Sequence, residues 1–155
     1  MIPEQFKLIK EDLKREYASI LCPESLAFID KAETLADLVS VLRTYMVVIA
    51  CKPIPTDEWV RKWFKYDLAG LNALGIYLDQ TATIEDPAQD IVCFGRCCLT
   101  LNFNQPKVWN ILLYGTSIAV LNTHTICSVN VRARDNSSAL APIKYRGSII
   151  KIRRV

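Results

Sequence analysis

From about residue 91 to its end the chain repeats a short bend followed by a β-prone run, roughly every ten residues. The copies begin at Gly95, Gln105, Gly115, His124, Asn136 and Gly147, and the spacings are ten, ten, nine, twelve and eleven residues. Gly leads three copies and Asn one, residue types that tolerate a tight corner. Thr116, Thr125, Ser137 and Ser148 follow four of the corners. Three places after each corner stand Cys98, Val108, Ile118, Cys127, Ala139 and Ile150, all apolar. This column is the expected inward one, and two units per coil give a rung of about 20 residues.

No single unit can bury its own apolar face, so stacking is what makes a core. The spacing therefore predicts an α+β protein: a helical N-terminal cap followed by a small right-handed parallel β-helix. The alternative is a helical region plus an antiparallel β-sandwich. Even corner spacing and the absence of Asn-Gly or Asp-Gly hairpin signals favour the coil. A solenoid needs both ends covered. The helical half is placed to cap the first rung, and the bases Lys151, Arg153 and Arg154 in the last strand guard the other end against edge pairing.

The first half has helical periodicity. Phe6, Ile9, Leu13 and Tyr17 form one apolar stripe over 4–19. Pro23 ends that segment, and a short helix over 24–31 turns Leu26 and Ile29 inward. Thr34 is the expected N-cap of a helix over 34–50 carrying Leu38, Leu42, Tyr45 and Val48, with Asp37 in its first turn. Pro53 and Pro55 break the chain. Thr56 caps the next helix, which carries Trp59, Trp63 and Phe64, and Asp67 caps one closed by Gly75. Strands are expected at 76–79 and 81–85. The domain boundary is placed near Gly75, giving a helical region 1–75 and a solenoid region 76–155, packed together with no flexible linker.

Half of the residues are apolar and 23% are charged, the composition of a folded chain. The longest apolar run, 46–51, is too short to cross a bilayer, and the polar, acidic beginning after Met1 is not a secretory signal. Six cysteines without a signal are expected reduced, which places the protein in the cytoplasm. The net charge of +3 is unevenly spread: 9 Lys/Arg against 5 Asp/Glu after residue 75, five of those bases between Lys144 and Arg154.

The Gly75-to-Asp79 step and the run Arg134-Asp135-Asn136-Ser137-Ser138 carry a resemblance. They look like parts of uncharacterised proteins of mobile elements and prophages of gut bacteria, which join a helical N-terminus to a repeat-containing tail. The resemblance implies a fold and an origin, not an activity.

Candidate chemistry is sparse. Cys93, Cys97, Cys98 and Cys127 are weak metal candidates: paired knuckles are missing and only one His exists. Core packing is the competing reading. His124 with a cysteine and Asp135 could be drawn as a nucleophilic triad, though His124 suits a solvent-facing corner. Asp79, Glu85, Asp86 and Asp90 could furnish a glycosidase pair, or solvate loops. Trp59, Trp63 and Phe64 are either a partner anchor or packing for the first rung. Lys144, Arg146, Lys151, Arg153 and Arg154 are the candidates for phosphate or partner contact. The expected function is a non-enzymatic structural or protein-interaction module. It needs no cofactor and would use an unknown protein partner or self-association through the terminal rung. A nucleic-acid-associated protein and a polymer- or glycan-acting β-helix enzyme are the alternatives, and no membrane partner is expected.

Overall fold

The computed structural model describes residues 3–48 and 54–155, with side chains for 3–43 and 54–155. The chain forms two compact units, Met1–Thr56 and Asp57–Val155. The sequence divides by secondary structure near Gly75. By contacts the division falls earlier, because the two helices after Thr56 pack on the first strand of the solenoid.

The first unit holds α1 (Pro3–Tyr17), α2 (Pro23–Lys31) and α3 (Leu35–Val48). The expected stripe is present: Ile9, Leu13 and Tyr17 are buried, and Ile29 of α2 is buried with them. Pro23 opens α2 instead of only ending α1, since its missing N–H costs nothing in a first turn. Thr34 and Asp37 form a reciprocal cap. The Asp37 N–H donates to Thr34 Oγ1 at 3.1 Å and the Thr34 N–H to Asp37 Oδ2 at 2.9 Å. These bonds hold the Asp37 carboxyl below its ordinary range. The Lys10 ammonium donates to the carbonyls of Asp30 and Ala32 at 2.7 Å, and Lys14 meets Asp30 at 2.5 Å, tying α1 to the end of α2. The expected helix residues Tyr45 and Val48 have side chains outside the described set, as do Ala50 and Pro53 altogether.

The second unit begins with α4 (Asp57–Phe64) and α5 (Leu68–Ala73), then winds into a parallel β-solenoid. Its strands are β1 (Ile76–Leu78), β2 (Thr81–Glu85), β3 (Ile91–Phe94), β4 (Cys98–Phe103), β5 (Val108–Leu113), β6 (Ile118–Thr123), β7 (Ser128–Ala133), β8 (Ser138–Ile143) and β9 (Ile149–Arg154). One sheet runs β1-β3-β5-β7-β9 and the other β2-β4-β6-β8, all pairs parallel. The antiparallel sandwich is excluded by this pairing. The rung of 20 residues holds in the middle, where Cys98 stands beside Ile118 and Val108 beside Ser128.

The inward columns are shifted from the expected ones. Leu99, Ala119 and Ala139 stack on one sheet, and Trp109, Val129 and Ile150 on the other. Cys98, Val108 and Ile118 face outward and are exposed. Ile118 lies beside Ser138, not Ala139. The core between the sheets holds Leu99, Leu101, Phe103, Trp109, Ile111, Leu113, Leu121, Val129 and Val131. Trp109 is 1% exposed, packs its ring 4.6 Å from that of Phe103, and donates its Nε1–H to the Pro87 carbonyl at 2.9 Å.

The corners repeat for a backbone reason. Asp79, Gly95, Gly115 and Asp135 occupy one position in four successive coils, with φ of 51°, 71°, 65° and 54°. Carboxylates then satisfy the freed N–H groups. Arg96 N–H donates to Asp79 Oδ1 at 2.9 Å, Gly95 N–H to Asp57 Oδ2 at 2.9 Å, and Gly115 N–H to Asp135 Oδ2 at 3.0 Å. Beneath them Cys97, Ser117 and Ser137 form a buried small column. Ser117 Oγ donates to the Gly95 carbonyl and Ser137 Oγ to that of Leu113, each at 3.1 Å.

Candidate functional site

The two ends of the solenoid are built differently, and the difference locates the candidate site. At the first coil α4 and α5 pack on β1. Trp59 and Phe64 are buried with their rings 6.1 Å apart, so they serve the cap and not a free anchor. Arg61 grips the Asp79 carboxylate through Nε at 2.8 Å and Nη2 at 3.1 Å, pinning α4 to the corner column. That hydrogen-bonded pair holds the Asp79 carboxyl below its ordinary range, whereas burial raises Asp57 beside it.

At the last coil β8 and β9 are the final strands of their sheets, and among the described residues no element pairs beyond them. Ile150 and Ile152 continue the columns of buried Val129 and Val131, yet Ile152 is 45% exposed. Leu140, Ile143, Tyr145 and Ile149 are exposed beside it. The candidate cations all fall on this coil. Lys151 and Arg153 stand on the outer face of β9 beside Asn130 and Arg132, Arg154 ends the inward row beside Ala133, and Lys144 and Arg146 occupy the final corner. Residues 136–155 contain five Lys/Arg and no Asp or Glu.

The two open edges differ. In β9 the Ile149 N–H donates to Cys127 O at 2.9 Å and the Val155 N–H to Ala133 O at 3.1 Å. Strand alternation then turns the N–H and C=O of Ile150, Ile152 and Arg154 toward the open side. β9 is regular over its length. β8 is not: its register against β6 slips between Val120 and Asn122, so Asn122 stands beside Ile143. Pro142 lies at the slip and has no N–H to give the ladder. The last coil is consequently 21 residues long, with Ser128 beside Ile149.

Amide ladders run along both outer faces into this end. Asn110 Nδ2 donates to Asp90 Oδ2 at 3.1 Å, Asn130 Nδ2 to Asn110 Oδ1 at 3.4 Å, and Lys151 takes the next place in the row. On the other sheet Asn102 Nδ2 donates to Glu85 Oε1 at 2.5 Å and Asn122 Nδ2 to Asn102 Oδ1 at 2.9 Å. There the slip brings Ile143, which has no side-chain donor, and the buried Asn122 Oδ1 is left without a hydrogen bond.

The other candidates disperse. The four carboxylates proposed for glycan chemistry bond the corners and ladders: Asp79 with Arg61, Glu85 with Asn102 and Asn104, Asp86 with the Asn104 N–H, and Asp90 with Asn110. Glu85 and Asp86 also line a cleft of about 320 Å³ with Asn72, Gly75, Tyr77 and Gln89, but both Glu85 oxygens and Asp86 Oδ1 already accept hydrogen bonds from Asn102 and Asn104. His124 and Asp135 lie on the corners at opposite ends of β7, a strand of six residues, so no triad forms. Among the described residues no three His, Cys, Asp or Glu side chains gather to hold a metal. Cys98 faces outward, Cys127 sits at the far corner, and Cys93 and Cys97 are buried near each other. Burial pushes the Cys93 thiol well up, and its hydrogen bond draws Cys97 down to about 7. Access outweighs this acidity. Native-state alkylation followed by mass spectrometry is expected to modify Cys22 and Cys98 and spare Cys93, Cys97 and Cys127 until the chain is unfolded. Modification of Cys97 in the folded protein would contradict the geometry.

Sequence reasoning found the cations but missed the contrast between β8 and β9. Pro142 was the available signal. No protein family, curated protein or solved structure matches the chain. None of its helices, over the described residues, is long and apolar enough to cross a membrane.

Proposed function

We propose that the protein is a non-enzymatic interaction module, of mobile-element or prophage origin as its resemblance implies, which docks an acidic protein partner on the last coil. The observation that carries this reading is the exposure of the core-row residue Ile152, with Ile150 beside it only half-buried, amid five cations and no Asp or Glu in residues 136–155. Exposed apolar surface rimmed by charge is the composition of a docking face. A second copy is a poor occupant, because two such coils would oppose five cations to five. The carboxylates committed to corners and ladders further support a binding role over a hydrolytic one.

Poly-glutamate tests the reading. It is expected to bind the full chain with an affinity that falls steeply with salt, and to be released when Lys144, Lys151 and Arg153 become Gln. Poly-glutamate that fails to bind at low salt overturns the proposal. The same cation cluster favours one rival, nucleic-acid association. It predicts a salt-sensitive shift on DNA or RNA that disappears when Lys151, Arg153 and Arg154 become Gln.

A further inference from the structure

We infer that the β9 edge captures its partner by strand addition, and that the captured segment is extended and alternates apolar with acidic residues. This rests on the acidic-partner reading and specifies how that partner is held.

Three observations converge on β9. Its outward backbone groups, those of Ile150, Ile152 and Arg154, stand in an uninterrupted row that a further strand can satisfy. β8 offers no such row, because Pro142 and the register slip interrupt it. The side chains of β9 then dictate the pattern of the added strand. Positions beside Ile150 and Ile152 fall on the inward rows above Val129 and Val131, where an apolar residue closes the open core. Positions beside Lys151 and Arg153 fall on the outer face, where a carboxylate meets a cation directly across the ladder. Alternation of side chains is a property of any β-strand, so the pattern holds for either chain direction.

The same geometry rejects a second copy of this chain. A β9 strand laid on β9 would set Lys151 and Arg153 against like charges on the outer face. The edge is therefore open to one class of strand and closed to itself, a selectivity built from repulsion as much as attraction.

The test is calorimetric titration of the full chain with a synthetic peptide of about eight residues alternating Val and Glu. Saturable binding below about 1 mM is expected. Two N-methylated forms, one methylated on every Val and the other on every Glu, keep the charge and side chains. An antiparallel strand donates to β9 from the first set and a parallel strand from the second, so one of the two forms cannot complete the ladder and its affinity should fall at least about tenfold. A Val/Lys peptide should not bind. Combined Lys151→Glu and Arg153→Glu substitution should invert the preference toward the Val/Lys peptide. Binding unchanged by both N-methylations overturns strand addition, whatever the variants do. Poly-glutamate binding without Val/Glu binding also overturns it, while leaving the acidic-partner reading in place. An oligonucleotide that displaces the Val/Glu peptide at lower concentration assigns the edge to nucleic acid and overturns the inference. Light scattering that finds the chain alone to be a dimer assigns the edge to a second copy and overturns it too.

Discussion

Trp109→Ala is expected to cost about 3–5 kcal/mol, a large share of the roughly 5–15 kcal/mol that holds a typical domain folded. Trp109 is buried against Phe103 in the core between the sheets, and Val129 beside it on β7 is held in a rung that cannot collapse inward without breaking its ladder. The cavity would therefore persist. The substitution also strips the Pro87 carbonyl of the indole N–H it accepts at 2.9 Å. Trp109→Phe separates the two effects. It keeps a ring but loses the donor, and is expected to cost about 1–3 kcal/mol. Urea denaturation followed by far-UV circular dichroism measures both. A Trp109→Ala protein as stable as the parent would mean that the two sheets do not share this interior.

Gly115→Ala is expected to destabilise by about 3 kcal/mol, unusually large for one methyl group. Left-handed backbone at φ 65° costs a side chain roughly 1–2 kcal/mol. The added Cβ would also lie 2.6 Å from the carbonyl oxygen of Gly95 in the preceding coil and 2.6 Å from Asp57 Oδ2. Neither can yield cheaply: one is backbone, the other accepts the Gly95 N–H. Gly147→Ala is the internal comparison. Its φ is 93°, but the nearest atom to a new Cβ is a side-chain carbon of Ile126 at 3.5 Å, so only the conformational cost applies. Thermal denaturation should rank Gly115→Ala well below Gly147→Ala; equal midpoints would contradict the stacked corner column.

The period of the solenoid is legible in the sequence because each corner needs a left-handed or polar residue, and Gly and Asn advertise it. The register is not. Asn136 is the conspicuous residue, but Asp135 carries the bend, with φ 54°, its carboxylate repaying the strain by accepting the Gly115 N–H. Gly147 lies one place beyond the equivalent of Gln105, once Pro142 has lengthened the coil. Each slip of one residue exchanges the two faces of a strand. That is why Cys98 and Ile118 are expected inside yet lie outside, while Ala139 and Ile150 are placed correctly. The cations at 144–154 were legible as a cluster. Their gathering around an open β9 edge was not, because it depends on which strand ends its sheet intact. The buried Asn122 Oδ1 likewise arises only from the slipped pairing with Ile143.

The unequal ends also set an order of assembly. A stack whose rungs touch only their neighbours forms most readily where a nucleus is already secured, and here Arg61, Asp57 and the indole of Trp59 secure one end alone. Winding away from the helices is therefore the expected order, with the final turn, paired on one side only, expected to be the first to fray. A partner bound there as proposed is expected to slow the amide exchange of β9, at the opposite end of the stack from α4 and α5.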